Sequence, residues 1–494
     1  MSTKEGPAAC ALPAMTRATA VTSISFLMSA QSATIQAVLR TAYCQNPIDT
    51  GRLLGQEVAQ NSHTACYIRR AFLEGFMIRR TVIAGATCVA LGSVVITAQT
   101  RVVPRPPAQP PGQQPPGESA APDGYAPVPQ WLGQTRASVP AKTEAYTVET
   151  VASGLGGANF RFLPDGRIIV AERDGRIRLV GKDGTLSAPL AGMPSNMFAT
   201  GQSLFDVQPD RSFASNRTIY FTYAVLPAGG NPATQRSPAH VHVASATISA
   251  DDTRLDGVKD LLDAEGIGGR VIQSADGTLL VTSTIPAGLG VKSEEWMQPQ
   301  QLDSLMGKVL RINTDGSIPK DNPFVGKAGA RPEIFALGFR DAQGMAIHPK
   351  TGRLWTSEHG PRGGDEINEV ERGRNYGFPV IGYGRDYTGK PINGDKTAQA
   401  GMEQPAYFWT PDIAPAGIGF YTGKMFPAWD GSLFVGALVG KNLVRLVLHG
   451  NRVVAEERLL ADQNARIRAV SQGPDGALYV LTDGTGGKIL RLKK

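Results

Sequence analysis

Cysteine is scarce in this chain of 494 residues: four are present, Cys10, Cys44, Cys66 and Cys88, all within the first fifth. Beyond Cys88 the chain has no thiols, which excludes disulfides and cysteine-ligated zinc from the remaining four fifths. The spacing of the four fits no zinc pattern. Basic charge is also lacking where a polyanion binder needs it. The formal net charge is +7, but residues 1–98 hold eight Lys/Arg against four Asp/Glu, leaving 42 against 39 beyond them. A nucleic-acid partner requires cationic charge concentrated on the folded part, so none is expected. No long amphipathic helical pattern occurs after residue 146 either, which argues against an α/β or all-α domain.

The N-terminal region carries addressing information instead. Arg79 and Arg80 precede an apolar run from Thr81 to Ala98, with Ile96 and Ala98 at cleavage-like spacing. That is the layout of a secretory signal peptide over 77–98, the alternative being a membrane anchor if 81–98 is not cleaved. A signal placed so late implies a start at Met77, with 1–76 an over-extended reading frame that forms no domain. Either reading puts the rest of the chain in the periplasm or outside the cell. Residues 99–145 contain the run VVPRPPAQPPGQQPPGESAAPDGYAPVPQ. Proline fixes φ and removes a backbone donor, so this stretch is expected to be an extended tether. The globular part is expected from Tyr146, as one domain over 146–494.

One pattern recurs in that domain. FLPDGRIIVAE (Phe162 to Glu172), QSADGTLLVTS (Gln273 to Ser283), HPKTGRLWTSE (His348 to Glu358), FPAWDGSLFVG (Phe426 to Gly436) and GPDGALYVLTD (Gly473 to Asp483) each join a turn to a β-rich run. QPDRSFASNRTIYFTYA (Gln208 to Ala224) is a longer version. Asp-Gly supplies the positive-φ turn between antiparallel strands, and alternating β-branched and aromatic residues suit a pleated face. Six such units predict an all-β fold, a six-bladed β-propeller, with an array of β-sandwiches as the alternative. The C-terminal GGKILRLKK is expected to pair with the start of the domain and close the ring. His240 and His242, in HVHVASATIS, alternate on one face of a blade strand.

The densest chemistry lies in SEHGPRGGDEINEVERGRNYGFP, Ser357 to Pro379. Glycines permit sharp turns, Asp365 and Glu366 are adjacent acids, and Asn375-Tyr376-Gly377 closes the segment. Such a loop supplies the carboxylate and carbonyl oxygens that a hard cation requires, although the same composition also suits a surface loop with solvated acids.

This segment, with LGFRDAQGMAIHPKTGRLWTSEHGPRGGDEINEV before and through it, LMGKVLRINTDGSIPKDNPFVGKAGARPEIFALGFR and RIRAVSQGPDGALYVLTD, resembles the soluble pyrroloquinoline quinone (PQQ)-dependent sugar dehydrogenases. The resemblance is to the aldose-type branch of the glucose/sorbosone dehydrogenase family, over roughly residues 146–492. It implies a six-bladed propeller with PQQ and Ca2+ over the channel, an aldose substrate oxidised at C1 to the lactone, and a periplasmic electron acceptor. By the same resemblance, carbonyls of Gly360 and Pro361 hold the calcium beside the quinone, while Glu366 and Tyr376 hold a second. Arg340 stands at the reactive carbonyl, and Arg466 and Arg468 bind the carboxylates. Planar guanidinium groups suit that last role, and the alternation Arg466-Ile467-Arg468 puts both on one strand face, though a solvated strand face has the same spacing.

The chain departs from the family where the chemistry is most exacting. The proton-abstracting histidine stands four residues before an arginine, here Arg270, and that position is Gly266. Gly201 replaces a glutamine, Asp341 an asparagine, and Ser283-Thr284 a glycine-aspartate pair. Three residues are candidates to substitute as base: Glu265, which adjoins the vacant position, Asp341, beside Arg340, and His359, beside the calcium loop. Loss of the base leaves a second outcome open: a degenerate propeller that binds a sugar or another ligand, or a tethered interaction scaffold.

Overall fold

The computed structural model describes residues 125–198, 203–226, 240–266, 268–285 and 294–494. The expectations for 1–76, 77–98 and most of the proline-rich stretch, and the substitution at Gly201, lie outside them. Among the described residues no helix is long and apolar enough to cross a membrane.

Six antiparallel sheets are arranged as a ring, five of four strands and one of three. The innermost strands are Gly157–Phe162, Leu204–Pro209, Val271–Gln273, Ala342–Ile347, Pro415–Phe420 and Ile467–Gln472, defining blades 1 to 6. Each packs against the next, and the sixth returns to the first. The ring is closed as expected: Thr147–Leu155 pairs with Gly487–Lys493 and becomes the outer strand of blade 6. Radial repetition of this kind leaves only short edges open to water.

The recurrent turn of the sequence joins the first strand to the second in every blade. Its glycine has φ of 88° at Gly166, 86° at Gly277, 70° at Gly352, 75° at Gly431 and 80° at Gly476. Only glycine occupies that region without a steric cost. Blade 2 makes the same connection with a short helix, Phe213–Asn216, closed by Arg217 at φ 52°. The core follows the repeat. One apolar cluster lies between each pair of neighbouring blades, from Ile169, Val207 and Phe221 between blades 1 and 2 to Leu155, Phe160 and Leu481 between blades 6 and 1. Stability therefore resides in blade-to-blade contacts, with Trp355, Trp409 and Trp429 among the largest fully buried side chains.

The composition of 99–145 did not reveal how its last part is seated. Within 125–145, Gln134 is fully buried, donating to Pro405 O at 3.0 Å, and the Ala137 amide donates to the Tyr407 hydroxyl at 2.8 Å. Tyr125 lies 4.1 Å from the Arg385 guanidinium and Trp131 4.3 Å from that of Arg452. These residues dock on blades 4 and 5, because aromatic and amide groups offset the entropy that proline alone cannot.

Candidate active site

Two kinds of position gather at one mouth of the channel. The first is the start of an inner strand: Ala158, Phe205, Arg270, Gln343 and Arg468 line a common cavity. The second is the residue just after a blade's second strand: Arg173 after Ile168–Glu172, and Thr284 after Leu279–Ser283. His359, after Leu354–Glu358, and Asp483, after Leu478–Thr482, occupy the same place in blades 4 and 6. The repeat thus converts residues far apart in sequence into one site.

Beside this cavity a smaller one is lined by Arg340, Glu358, Gly360, Pro361, Glu366 and Tyr376. All the residues that the resemblance connects with calcium therefore meet in one place. The loop carrying them is stapled from below: the Gly360 amide donates to Asp365 Oδ1 at 2.9 Å, and the Gly363 amide to Asp412 Oδ2 at 2.7 Å. Asp365 Oδ2 in turn accepts the amides of Ile413 and Ala414, each at 2.7 Å. Asp365 is thus a scaffold for the loop. Tyr376 stacks on Phe339 with centroids 4.7 Å apart, and its hydroxyl donates to Glu369 O at 2.7 Å.

Glu358 was missed by sequence reasoning, although it ends the third of the recurrent runs. It and Glu366 are both buried, with Asn368 Nδ2 3.3 Å from an oxygen of each. Burial pushes the Glu358 carboxyl up to about 7, and burial with the neighbouring Glu358 charge pushes Glu366 well above the carboxylate range. Two buried acids whose charged forms burial disfavours, beside the carbonyls of Gly360 and Pro361, are a donor set that a divalent cation would ionise and satisfy.

Arg340 lines the smaller cavity and its chain neighbour Asp341 the larger, so the pair stands where the two meet. The Arg340 amide donates to Glu358 Oε2 at 2.9 Å, and its Nη1 donates to the carbonyls of His359 and Gly360 at 2.9 and 3.0 Å. Nη2 donates to the hydroxyl of Tyr387 at 3.0 Å. The guanidinium therefore faces one of the carbonyls expected to hold calcium. Its Nε is buried with no hydrogen-bond partner among the described residues.

Across the larger cavity, three arginines converge on Asp483. Arg466 Nε is 3.0 Å from Oδ2, while Arg468 Nε and Arg173 Nη1 lie 3.2 and 3.4 Å from Oδ1. Burial alone would raise this carboxyl, but the Arg468 charge, with bonds from Arg468 and Arg466, holds it at about 2. Arg466 and Arg468 both reach Asp483, but of the two only Arg468 lines the cavity, and Arg466 Nη1 donates to Leu438 O at 3.3 Å. Arg468 is largely buried, whereas the Arg466 side chain is 44 % exposed. Arg270 also lines the cavity, with Nε donating to the carbonyl of Gln343 and Nη1 to those of Ala158 and Phe205.

The three substitute bases separate clearly. Glu265 turns away: its Oε2 accepts the Leu305 amide at 3.0 Å and the Ser304 hydroxyl at 3.1 Å, and it does not line the cavity. Asp341 does line it, with Oδ1 accepting Gln343 Nε2 at 2.6 Å and Oδ2 lying 3.4 Å from His359 Nδ1. Although burial raises its carboxyl, the His359 bond and the charges of His359 and Arg340 outweigh that and keep it below its usual range. His359 Nε2 is buried without a partner among the described residues. Gly266 itself adopts φ 112°, and a Cβ built there would overlap the carbonyl oxygen of Thr284 and sit 2.9 Å from Ser283 Oγ. The two departures noted in the sequence, at 266 and at 283–284, are therefore in contact.

Comparison with known proteins agrees with this architecture. The glucose/sorbosone dehydrogenase family model matches residues 157–491. Aldose sugar dehydrogenase YliI of Escherichia coli (strain K12) is 37% identical over 334 residues, covering 67% of this chain and 88% of its own. Quinoprotein glucose dehydrogenase B of Acinetobacter calcoaceticus is 31% identical over 248 residues, 39% of this chain and 51% of that one. A crystal structure of a glucose dehydrogenase superposes with a TM-score of 0.65 at 40% identity, covering 70% of this chain and 99% of its own. The protein is a member of the glucose/sorbosone dehydrogenase family.

Proposed function

We propose that the protein is a PQQ- and calcium-dependent dehydrogenase that oxidises an aldose at C1 to the lactone, exported from the cytoplasm and passing its electrons to a periplasmic acceptor. The observation that carries this reading is the meeting of two unlike half-sites at one channel mouth. One is a cradle of buried acids and carbonyls, Glu358, Glu366, Gly360 and Pro361; the other is the guanidinium of Arg468, which lines the larger cavity, with Arg466 beside it on the shared Asp483. The first fits a hard cation and the second a polycarboxylate.

PQQ, when bound, supplies a carbonyl carbon that accepts hydride, made more electrophilic by the neighbouring calcium. The chain supplies the rest. Arg340 brings a fixed positive charge to the boundary of the two cavities, where negative charge develops. Arg466 and Arg468 hold the carboxylates, and Glu366 and the Tyr376 backbone hold the second calcium. Asp341 is the base we assign: it faces the cavity and is held ionised, so it can accept the anomeric hydroxyl proton, with His359 Nδ1 3.4 Å behind it. A carboxylate of lowered basicity is a weaker base than imidazole, so turnover slower than in a histidine-bearing relative is expected.

The second reading, a binding propeller without turnover, is favoured by the geometry at Gly266, where no side chain fits. Reconstitution with PQQ and calcium followed by a panel of aldoses separates the two. Bleaching of the oxidised quinone spectrum by an aldose supports the enzyme, and its loss in Asp341→Asn supports the assigned base. Quinone binding with no reduction by any aldose supports the binding propeller. Absence of quinone binding refutes both and leaves a scaffold.

A further inference from the structure

The cofactor assigned above is a tricarboxylate, yet the two arginines given to it share their charge with Asp483. Two guanidinium groups against one carboxylate leave a single net positive charge on this side of the site. A third cation stands at the same hub. Arg173 reaches Asp483 Oδ1 at 3.4 Å through Nη1, lines the larger cavity, and keeps its side chain 31 % exposed to it.

Its position is fixed by the fold. The Arg173 amide donates to Gly156 O at 2.7 Å, and its carbonyl accepts the Ser203 amide at 2.7 Å, tying it to blades 1 and 2. The neighbouring cations are drawn toward other partners. Arg270 gives Nε and Nη1 to three backbone carbonyls, and Arg340 lines the smaller cavity, turned toward the calcium loop and Tyr387. Arg173 spends one Nη on a carboxylate that already serves two other arginines. Among the described residues its guanidinium has no other hydrogen-bond partner, so it keeps donors to offer a ligand in the cavity it lines.

Resting on the PQQ reading, we propose that Arg173 is a further carboxylate anchor for the cofactor. It would act from the blade 1 side of the cavity, opposite the calcium loop, with Asp483 as the hub that aims all three guanidinium groups. Ionised hydrogen-bond pairs of this kind are about twice as strong as neutral ones, so its loss should be felt in affinity before anything else.

The test is equilibrium binding of PQQ to the full chain in calcium, read by quenching of tryptophan fluorescence, for wild type, Arg173→Gln and Arg173→Lys. The trimethyl ester of PQQ is titrated in parallel. We expect Arg173→Gln to raise Kd for the acid about tenfold or more and to flatten its salt dependence. Arg173→Lys should retain part of the affinity, and the ester should be nearly indifferent to either change. Melting transitions of both variants distinguish a lost anchor from a lost fold, and Arg173→Lys carries the test if Arg173→Gln does not fold. If wild type binds and Arg173→Gln binds as tightly, or acid and ester weaken equally, the Arg173 assignment falls and the PQQ reading stands. If wild type fails to bind PQQ, both fall.

Discussion

Restoring a histidine at position 266 is the obvious way to rebuild the family's base, and the structure predicts that it fails. At φ 112° the backbone of Gly266 lies where a side-chain-bearing residue is strained, at a cost of about 1–3 kcal/mol. The new Cβ also overlaps the Thr284 carbonyl and crowds Ser283 Oγ at 2.9 Å. Overpacking of this kind costs about 1–3 kcal/mol more. Gly266→Ala should therefore lose about 2–6 kcal/mol, a large share of the roughly 5–15 kcal/mol typical of a folded domain. Gly266→His should lose at least as much and gain no turnover. Ser283→Gly in either background removes the hydroxyl but leaves the carbonyl, so it should recover only part of the loss. The assay is guanidinium denaturation followed by tryptophan fluorescence, with the midpoint shift interpreted at constant slope. A loss below about 0.5 kcal/mol for Gly266→Ala, or faster aldose oxidation in Gly266→His, refutes the reasoning.

Calcium should stabilise the protein more at about pH 8 than at about pH 5. The Glu358 carboxyl moves from an ordinary 4.5 to about 7 on folding, so between those values the fold holds the extra proton and calcium-free stability falls as pH rises. Calorimetric melting with and without calcium reads this, and Glu366→Gln should shrink the difference. Asp341→Asn in the reconstituted enzyme should lower kcat by roughly 100-fold or more with quinone affinity unchanged, measured by single-turnover reduction. Glu456 is a structural control remote from chemistry. It pairs with buried Arg458 and accepts the Tyr407 hydroxyl at 2.6 Å and Trp409 Nε1 at 3.1 Å. Glu456→Ala should cost roughly 3–5 kcal/mol in denaturant without changing PQQ affinity.

The ring was legible because its signal is local. An Asp-Gly turn and the strand after it are read within a dozen residues, and the same phase repeats in each blade. Arg468 was legible as a cavity residue from the start of its strand, but Arg466, one residue before that strand, does not line the cavity. The rest of the site is assembled from different blades, and local patterns are silent there. Arg173, Glu358 and Asp483 each end the recurrent run of their own blade or follow it by one residue. Asking which side chains end the second strand of each unit or stand just past it would have found all three. Glu265 shows the opposite error. It is next to the vacant position in sequence, but adjacent residues in extended chain point to opposite sides, and its carboxylate serves Ser304 and Leu305 instead. Residues 125–145 were read from proline content, which says nothing about where Gln134 or Trp131 could dock.

The pairing of Thr147–Leu155 with Gly487–Lys493 carries a kinetic implication. Thr147 and Lys493 meet across 346 positions of chain, so the first strand of the domain to leave the ribosome must wait for the last. Five blades can hairpin on themselves as they emerge, while the sixth depends on a contact of the greatest sequence separation the domain offers. Until that strand arrives, the Ile467–Gln472 sheet presents an unpaired edge and blade 1 lacks one neighbour, and Arg173 stands apart from the Asp483 that orients it. Ring closure and the meeting of Arg173 with Asp483 are thus joined in a single late event.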